Sequence, residues 1–218
     1  GFGSGNVFAL TREYVTEIYN DIWQRVDGQV RMGPPPIDPY FGPGSDNRDW
    51  SVYLLEHVDG ADAIFLHSKT QTNDPDEVWS RARFSHWPLE WQYLHLRTVE
   101  TGSDLVPDRF QELPVFVTEL NPQHLDAHGR LGWRRGNALW VRQAVRYFRE
   151  VQPVAGIVLY RYEMAGDQAP FGLRERPVIL DAIADECKIT PATTAVTSQR
   201  PPKGLSADLW RRLTEASR

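Results

Sequence analysis

The chain has 218 residues, of which 41% are hydrophobic, and is long enough to bury one sizeable core. Its formal net charge of -5 and the lack of a long basic run argue against nucleic acid or an anionic membrane as the main partner. No apolar stretch approaches the roughly 20 residues that span a bilayer, and no signal-peptide pattern is visible, so the cytoplasm is the default location. The single cysteine, Cys187, excludes an intramolecular disulfide and a cysteine-based metal site. No metal or cofactor is expected.

The first part of the chain predicts two helices and two strands. Helices are predicted from Thr11 to about Val26 and from 46 to 57, where apolar residues recur at three- and four-residue spacing. The predicted inward face of the first helix consists of Tyr14, Val15, Ile18, Tyr19, Ile22 and Val26. Short strands are predicted at 29–33 and 63–66. The second strand delivers His67, Ser68 and Lys69 to its carboxyl end.

A long connection follows, from Ser68 to Pro114. Helices are predicted within it at 75–84 and 89–101, around an aromatic cluster that includes Trp87 and Trp91. Long excursions after the carboxyl end of a strand are typical of binding loops and lids.

The run from Val115 to Thr118 predicts a buried parallel strand, because four apolar or β-branched residues are bounded by proline signals. Glu119 ends this strand, where ligands gather in α/β sheets and barrels. After a polar loop at 123–132, the pattern predicts a helix at 133–151, a strand at 156–160 and a helix at 177–188.

The order of strands and helices predicts an α/β fold with parallel strand-helix repeats. The first domain is predicted to span 1–189. Residues 190–218 are predicted to form a linker and a short carboxyl-terminal helix that packs on it. Four strands are half of the eight in a complete barrel, and the alternation by itself equally allows an open sheet.

The V-x-V-T-E-x-N sequence from Val115 to Asn121 resembles the seventh strand of clan A glycoside hydrolases, which are (β/α)8 barrels. The similarity extends over residues 11–187, with the predicted strands resembling strands five to eight. The resemblance implies a TIM-barrel-like fold that is a half or incomplete barrel. It also implies hydrolysis of a β-linked carbohydrate with retention, with Glu119 as the catalytic nucleophile.

Retaining hydrolysis also needs a second carboxyl group, which acts as the general acid. In the family this group belongs to an Asn-Glu pair, and the sequence contains no such dipeptide. By the resemblance, the pair falls just before Gly1. The chain is therefore a fragment, or takes its acid from elsewhere, with Glu163 as one replacement, or has lost catalysis. In the last case it is a non-catalytic carbohydrate-binding or structural domain. Glu13 and Glu17 are expected to be solvated charges.

The remaining candidate residues are assigned to sugar binding by the positions that the resemblance gives His67, Tyr160 and Tyr162, and by the chemistry of their side chains. Aromatic rings stack on the apolar faces of sugars, and histidine and asparagine hydrogen-bond hydroxyl groups. The predicted substrate-binding residues are His67, Asn121, Tyr160, Tyr162 and Trp87. The predicted partner is a carbohydrate. A homodimer is one way to cover the open sheet edges of a half barrel, and the amino-terminal arm or the 190–218 tail is another.

Overall fold

The structure is a computed structural model that describes residues 10–36, 46–72, 74–85, 90, 92–122, 124–126, 129–131, 133, 137–159, 172–174 and 176–188. The α-helices are α1 (Arg12–Val26), α2 (Asp46–His57), α3 (Thr98–Ser103), α4 (Ala138–Glu150) and α5 (Pro177–Lys188). The strands are β1 (Ile64–Thr70), β2 (Val115–Pro122), β3 (His124–Asp126), β4 (Gly129–Leu131) and β5 (Gly156–Leu159).

Three of the strands form a parallel sheet in the order β1-β2-β5. The predicted α/β fold with parallel strands is therefore confirmed. The central strand is β2, which explains its near-continuous apolar character, since a parallel strand with neighbours on both sides is buried on both faces. β3 and β4 pair separately as an antiparallel hairpin, within the segment that the sequence predicted as a polar loop.

The larger core cluster joins one face of β2 to the amphipathic helix α4. Val117 and Leu120 of β2 are fully buried and belong to the same cluster as Trp140 and Tyr147 of α4. Trp133 meets Trp140 edge to face, with ring centroids 5.3 Å apart. The central strand is thus fixed from behind by large, well-packed side chains.

A second core cluster joins α1 and α2 to β1, and it includes Tyr19, Leu55 and Ile64. Arg109 closes the carboxyl end of α2 by donating hydrogen bonds to the carbonyl oxygens of Leu55, Glu56 and Val58, at 2.9–3.0 Å. These contacts satisfy carbonyl groups that a helix end leaves without intrahelical partners. α2 is thereby tied to the segment that leads into β2.

The bounds of α1 agree with the prediction, and Thr11 caps it by accepting a hydrogen bond from the Tyr14 backbone N–H at 3.2 Å. The predicted inward face is wrong in part. Tyr14, Ile18 and Ile22 are 40% to 51% exposed. Tyr19 of the predicted face is buried, and its hydroxyl donates to the Gly60 carbonyl at 3.0 Å, while Thr16, which was not predicted to face inward, is buried as well.

The strand predicted at 29–33 is absent from the described residues. Met32 does run beside the start of β1, but its N–H donates to the Asp62 side chain at 3.0 Å and its carbonyl accepts from the Asp62 N–H at 2.7 Å. The Asp62 side chain thus accepts the hydrogen bond that a backbone carbonyl group would accept in a β-sheet. Pro34, Pro35 and Pro36 then supply no backbone donors, so pairing cannot extend.

The long connection contains less helix than predicted. The helix expected at 75–84 is a single 3₁₀ turn at Pro75–Glu77, and the one expected at 89–101 is α3 alone. Between them, Arg83 and Tyr93 form an antiparallel bridge, with the Phe84 N–H donating to the Gln92 carbonyl at 3.1 Å. Long-range pairing therefore overrides the local helical pattern. Residues 1–9 and 189–218 lie outside the described residues, as does the predicted packing of the tail.

Candidate functional site

Two parallel strands bring the predicted nucleophile and the predicted histidine side by side. In the register of β1 and β2, His67 lies opposite Glu119 and Lys69 lies opposite Asn121. A bulge at Thr118 of β2, opposite the step from Leu66 to His67, produces this register, because Leu66 pairs with Val117 and the next residue pairs with Glu119. Such an irregularity re-aims the side chains that follow it.

The contacts of Glu119 that the structure gives are to two nitrogen-bearing side chains. Lys69 Nζ lies 3.0 Å from Glu119 Oε1, and His67 Nδ1 lies 3.7 Å from Oε2. The three side chains are 11% to 19% exposed, so the ion pair is largely withdrawn from water. A charge in such a place is costly unless it is paired, and the lysine supplies that pairing. Neither partner is a carboxyl group.

The strand residues that alternate with these ionic ones are buried on the opposite face of the sheet. Ser68 is fully buried and donates to the Leu96 carbonyl at 3.2 Å, with the Thr98 hydroxyl 3.3 Å away. Leu120, which follows Glu119, is fully buried in the core cluster. Because side chains alternate along a strand, the residues between the ionic ones fix the strands to the helices. The site therefore stands on a rigid sheet.

The predicted sugar-binding residues have different outcomes. His67 lies in the site beside Glu119. Asn121 is 2% exposed, its Nδ2 donates to the Pro122 carbonyl at 3.2 Å, and its Oδ1 has no hydrogen-bond partner among the described residues. A sugar hydroxyl would have to reach a buried amide there. Trp87, Tyr160 and Tyr162 lie outside the described residues, as does Glu163, so their assignments stay predictions.

Lys69 is the site residue to which sequence reasoning gave no role. It follows His67 by two positions, and residues two apart on a strand share a face. β1 extends to Thr70, beyond the predicted end at Leu66, so His67 and Lys69 belong to the strand itself. The i, i+2 spacing of a histidine and a lysine was the available signal. β2 likewise runs beyond Glu119 to Pro122.

Glu13 and Glu17, which were also considered from the sequence as proton donors, do not suit that role. Glu13 and Glu17 are exposed on α1, as expected. A hydrogen bond from its own backbone N–H, and next the Arg12 side chain at 3.0 Å, hold the pKa of Glu13 below its usual range. A general acid needs the opposite shift. Among the described residues no cluster of His, Cys, Asp and Glu is suited to hold a metal ion.

No protein-family model matches the chain, and comparison with curated proteins finds no match. Solved structures do share its fold. An exo-β-1,3-glucanase of GH128 subgroup VI from Aureobasidium namibiae is similar over 81% of this chain and 61% of its own, with a TM-score of 0.52 and 15% identity. An endo-β-1,3-glucanase of GH128 subgroup II from Sorangium cellulosum is similar over 75% and 57%, with a TM-score of 0.51 and 14% identity.

A β-1,3-glucanosyltransferase from Rhizomucor miehei, solved as an active-site mutant in complex with laminaritriose, reaches a TM-score of 0.44 at 11% identity, over 75% of this chain and 53% of its own. The chain spans about three fifths of the length of the two glucanases. At such identities the likeness concerns the fold. The chain therefore has an α/β fold with a parallel sheet that is similar to the folds of glycoside hydrolases.

Proposed function

We propose that this chain carries the nucleophile side of a retaining glycosidase site that acts on β-1,3-glucan. The observation that carries the proposal is the pairing of Glu119 with Lys69 beside His67, on one face of adjacent parallel strands. A retaining glycosidase needs an ionised carboxylate as nucleophile, and an ammonium group at 3.0 Å supplies the paired charge that a largely buried carboxylate requires. The choice of β-1,3-glucan follows the activities of the two glucanases that share the fold.

In this proposal β1, β2 and β5 are the sixth, seventh and eighth strands of a clan A barrel. The strand order β1-β2-β5 and the parallel direction agree with that assignment. The segment around Met32, which runs beside the start of β1 without joining the sheet, takes the place of the fifth strand. Chain direction then puts Glu119 toward the carboxyl end of its strand, where barrel enzymes carry their active sites.

The general acid of a retaining site lies about 5 to 5.5 Å from the nucleophile. The described contacts of Glu119 supply no such carboxyl group. A test of the nucleophile must therefore use a sugar whose leaving group needs no proton. A dinitrophenyl β-glucoside meets this requirement, because dinitrophenolate is stable as an anion. Fluorine in place of the hydroxyl next to the anomeric carbon slows the second step, so that the covalent intermediate accumulates.

The labelling step balances without an acid. One Glu119 carboxylate oxygen forms a bond to the anomeric carbon, and the bond from that carbon to the phenolic oxygen breaks. The electron pair leaves with dinitrophenolate, and the enzyme gains one fluoroglycosyl ester. Hydrolysis of that ester by water would complete turnover with retention.

The experiment incubates the protein with this glucoside, follows dinitrophenolate by absorbance, and locates the added mass by peptide mapping. The expected result is one glycosyl group on Glu119, and none in Glu119→Gln. Glu112→Gln is the matched control, because Glu112 is an exposed glutamate just before the amino-terminal end of β2. The control variant should label as the wild type does. No label, or a label on another residue, would overturn the nucleophile assignment.

A second candidate function is a non-catalytic carbohydrate-binding domain. It is favoured by one observation, namely that the contacts of Glu119 among the described residues are a lysine and a histidine, with no second carboxyl group. Calorimetric titration with a soluble β-1,3-glucan separates the two functions. Saturable binding that Glu119→Gln retains, without any labelling of the wild type, supports the binding domain. Labelling at Glu119 supports the enzyme.

A further inference from the structure

The parallel strand β1 carries a lysine at a position where parallel strands are usually apolar. Lys69 is 9% exposed as a residue, and its ammonium group lies 3.0 Å from Glu119 Oε1. An apolar residue of similar volume would fill such a position without desolvating a charge, and replacing both members of a buried ion pair in this way is often neutral for stability or favourable. Core packing therefore does not explain the lysine.

The two oxygens of the Glu119 carboxylate stand in different surroundings. Oε1 has Lys69 at 3.0 Å, which is hydrogen-bonding distance for a charged pair. Oε2 has His67 Nδ1 at 3.7 Å, beyond the range of a hydrogen bond. An oxygen that is held by an ammonium group is the poorer nucleophile of the two, because its lone pair is engaged. Among the described residues, Oε2 has no hydrogen-bonded cation, so it is the oxygen better placed to attack the anomeric carbon.

From this geometry we infer that Lys69 is a positioning residue, which holds Glu119 through Oε1 as a carboxylate and directs Oε2 toward the anomeric carbon. This inference rests on the proposed function. When the Oε2 bond to carbon forms and the bond to the leaving oxygen breaks, the carboxylate becomes a neutral ester. Lys69 then stabilises Glu119 again as it departs, when water breaks the ester.

Among the described residues, the charged groups in contact with Glu119 come from one neighbouring strand. β1 contributes Lys69 and His67, and the histidine adds positive charge only when it is protonated. β5, which pairs with β2 on the other side, is apolar over Gly156–Leu159 and contributes no titratable group. Removing the Lys69 charge should therefore act on the Glu119 carboxylate directly.

The test uses three variants of the full chain. Lys69→Met removes the charge and keeps a long unbranched side chain. Lys69→Arg keeps the charge but replaces a point-like ammonium group with a planar fork. Arg142→Met is the control, because Arg142 is also a cation of an ion pair, with Asp185 at 2.8 Å between α4 and α5.

The first readout is the carboxyl-carbon NMR signal of Glu119, assigned by its loss in Glu119→Gln. At a fixed neutral pH its chemical shift should change in Lys69→Met, because the hydrogen bond from the ammonium group to Oε1 is lost. The chemical shift in Arg142→Met should match the wild type. An unchanged chemical shift in Lys69→Met would overturn the inference.

The second readout is the rate constant for labelling by the fluorinated glucoside. It should fall roughly tenfold to a hundredfold in Lys69→Arg at constant charge, because a small displacement of a reacting atom carries a cost of that order. Equal rate constants in Lys69→Arg and the wild type would overturn the positioning role. Because this comparison does not use Lys69→Met, it tests the role even if that variant does not fold. If the NMR signal of Glu119 changes as expected in Lys69→Met and the wild type is not labelled, the proposed function fails while the coupling of Lys69 to Glu119 stands.

Discussion

Leu120 offers a direct test of whether the sheet that carries Glu119 is anchored from its helix-facing side. The side chain is fully buried on the central strand, among the aromatic residues of α4. Replacing it with alanine removes the hydrophobic transfer free energy of the deleted groups and leaves a cavity in the core cluster that includes Trp140. Such changes cost about 2 to 5 kcal/mol. Because large rings repack poorly, we expect the free energy of unfolding to fall by about 3 kcal/mol.

The assay is urea unfolding, followed by tryptophan fluorescence and circular dichroism. The control is Leu139→Ala, because Leu139 on α4 is 48% exposed and its truncation should change the free energy of unfolding by less than about 0.5 kcal/mol. The midpoint urea concentration should fall in Leu120→Ala with an unchanged slope, which indicates that stability and not compactness has changed. A loss below about 1 kcal/mol would refute the assignment of Leu120 to the close-packed core.

Three further predictions concern pH, backbone packing and assembly. His95 is 4% exposed, and burial lowers its pKa, with Glu77 opposing this effect more weakly. The unfolded chain thus binds the proton more readily, and stability that is present above about pH 6.5 is lost as the pH falls toward the folded-state pKa. His95→Gln should flatten the dependence of unfolding free energy on pH in that window, and an unchanged slope would count against it. At Gly33 an added Cβ would lie 2.5 Å from the Ala63 carbonyl oxygen, whereas at Gly102 it would meet the flexible end of Leu66 at 3.2 Å. Gly33→Ala should therefore cost about 1 to 3 kcal/mol and more than Gly102→Ala, as measured by urea unfolding. Among the described residues no strand pairs with the edge of β5 that faces away from β2, and Val158 there is 55% exposed. If two copies cover this edge, sedimentation velocity should detect a dimer that Val158→Lys weakens. A monomer at all concentrations would exclude the predicted homodimer.

Elements with strong internal signals could be predicted from the sequence. α5 begins at Pro177 and ends at Lys188 as predicted, because proline fits the first turn of a helix and the apolar pattern is regular. β2 was predicted from a short apolar run between proline signals, and it is the central strand. These elements follow from residues close to one another in the chain, so no distant contact is needed to specify them.

The orientation of α1 could not be predicted in the same way, because two of its sides carry large apolar residues. Tyr14 and Ile18 mark one side, and Tyr19 and Trp23 mark another. The second side is selected by distant contacts. Tyr19 binds the Gly60 carbonyl, and Trp23 lies so close to Gly60 that a Cβ there would meet its ring at 2.6 Å. Hydrophobic periodicity reports only which residues of the helix itself are apolar, so it carries no information about a glycine more than thirty residues away in the sequence.

The site likewise depends partly on a local sequence pattern and partly on the register between two strands. The sequence identifies Glu119 as a strand-end carboxylate, but a one-residue shift in pairing would put Thr118 opposite His67 and turn the carboxylate to the other face. The bulge at Thr118 prevents that shift. Once Glu119 faces His67, alternation along β1 places Lys69 on the same face without any further requirement. The pairing of carboxylate and ammonium is therefore a consequence of one backbone irregularity. A sequence-based search for such sites should test each candidate carboxylate against cations spaced two apart on the neighbouring strand, in both registers that a bulge allows.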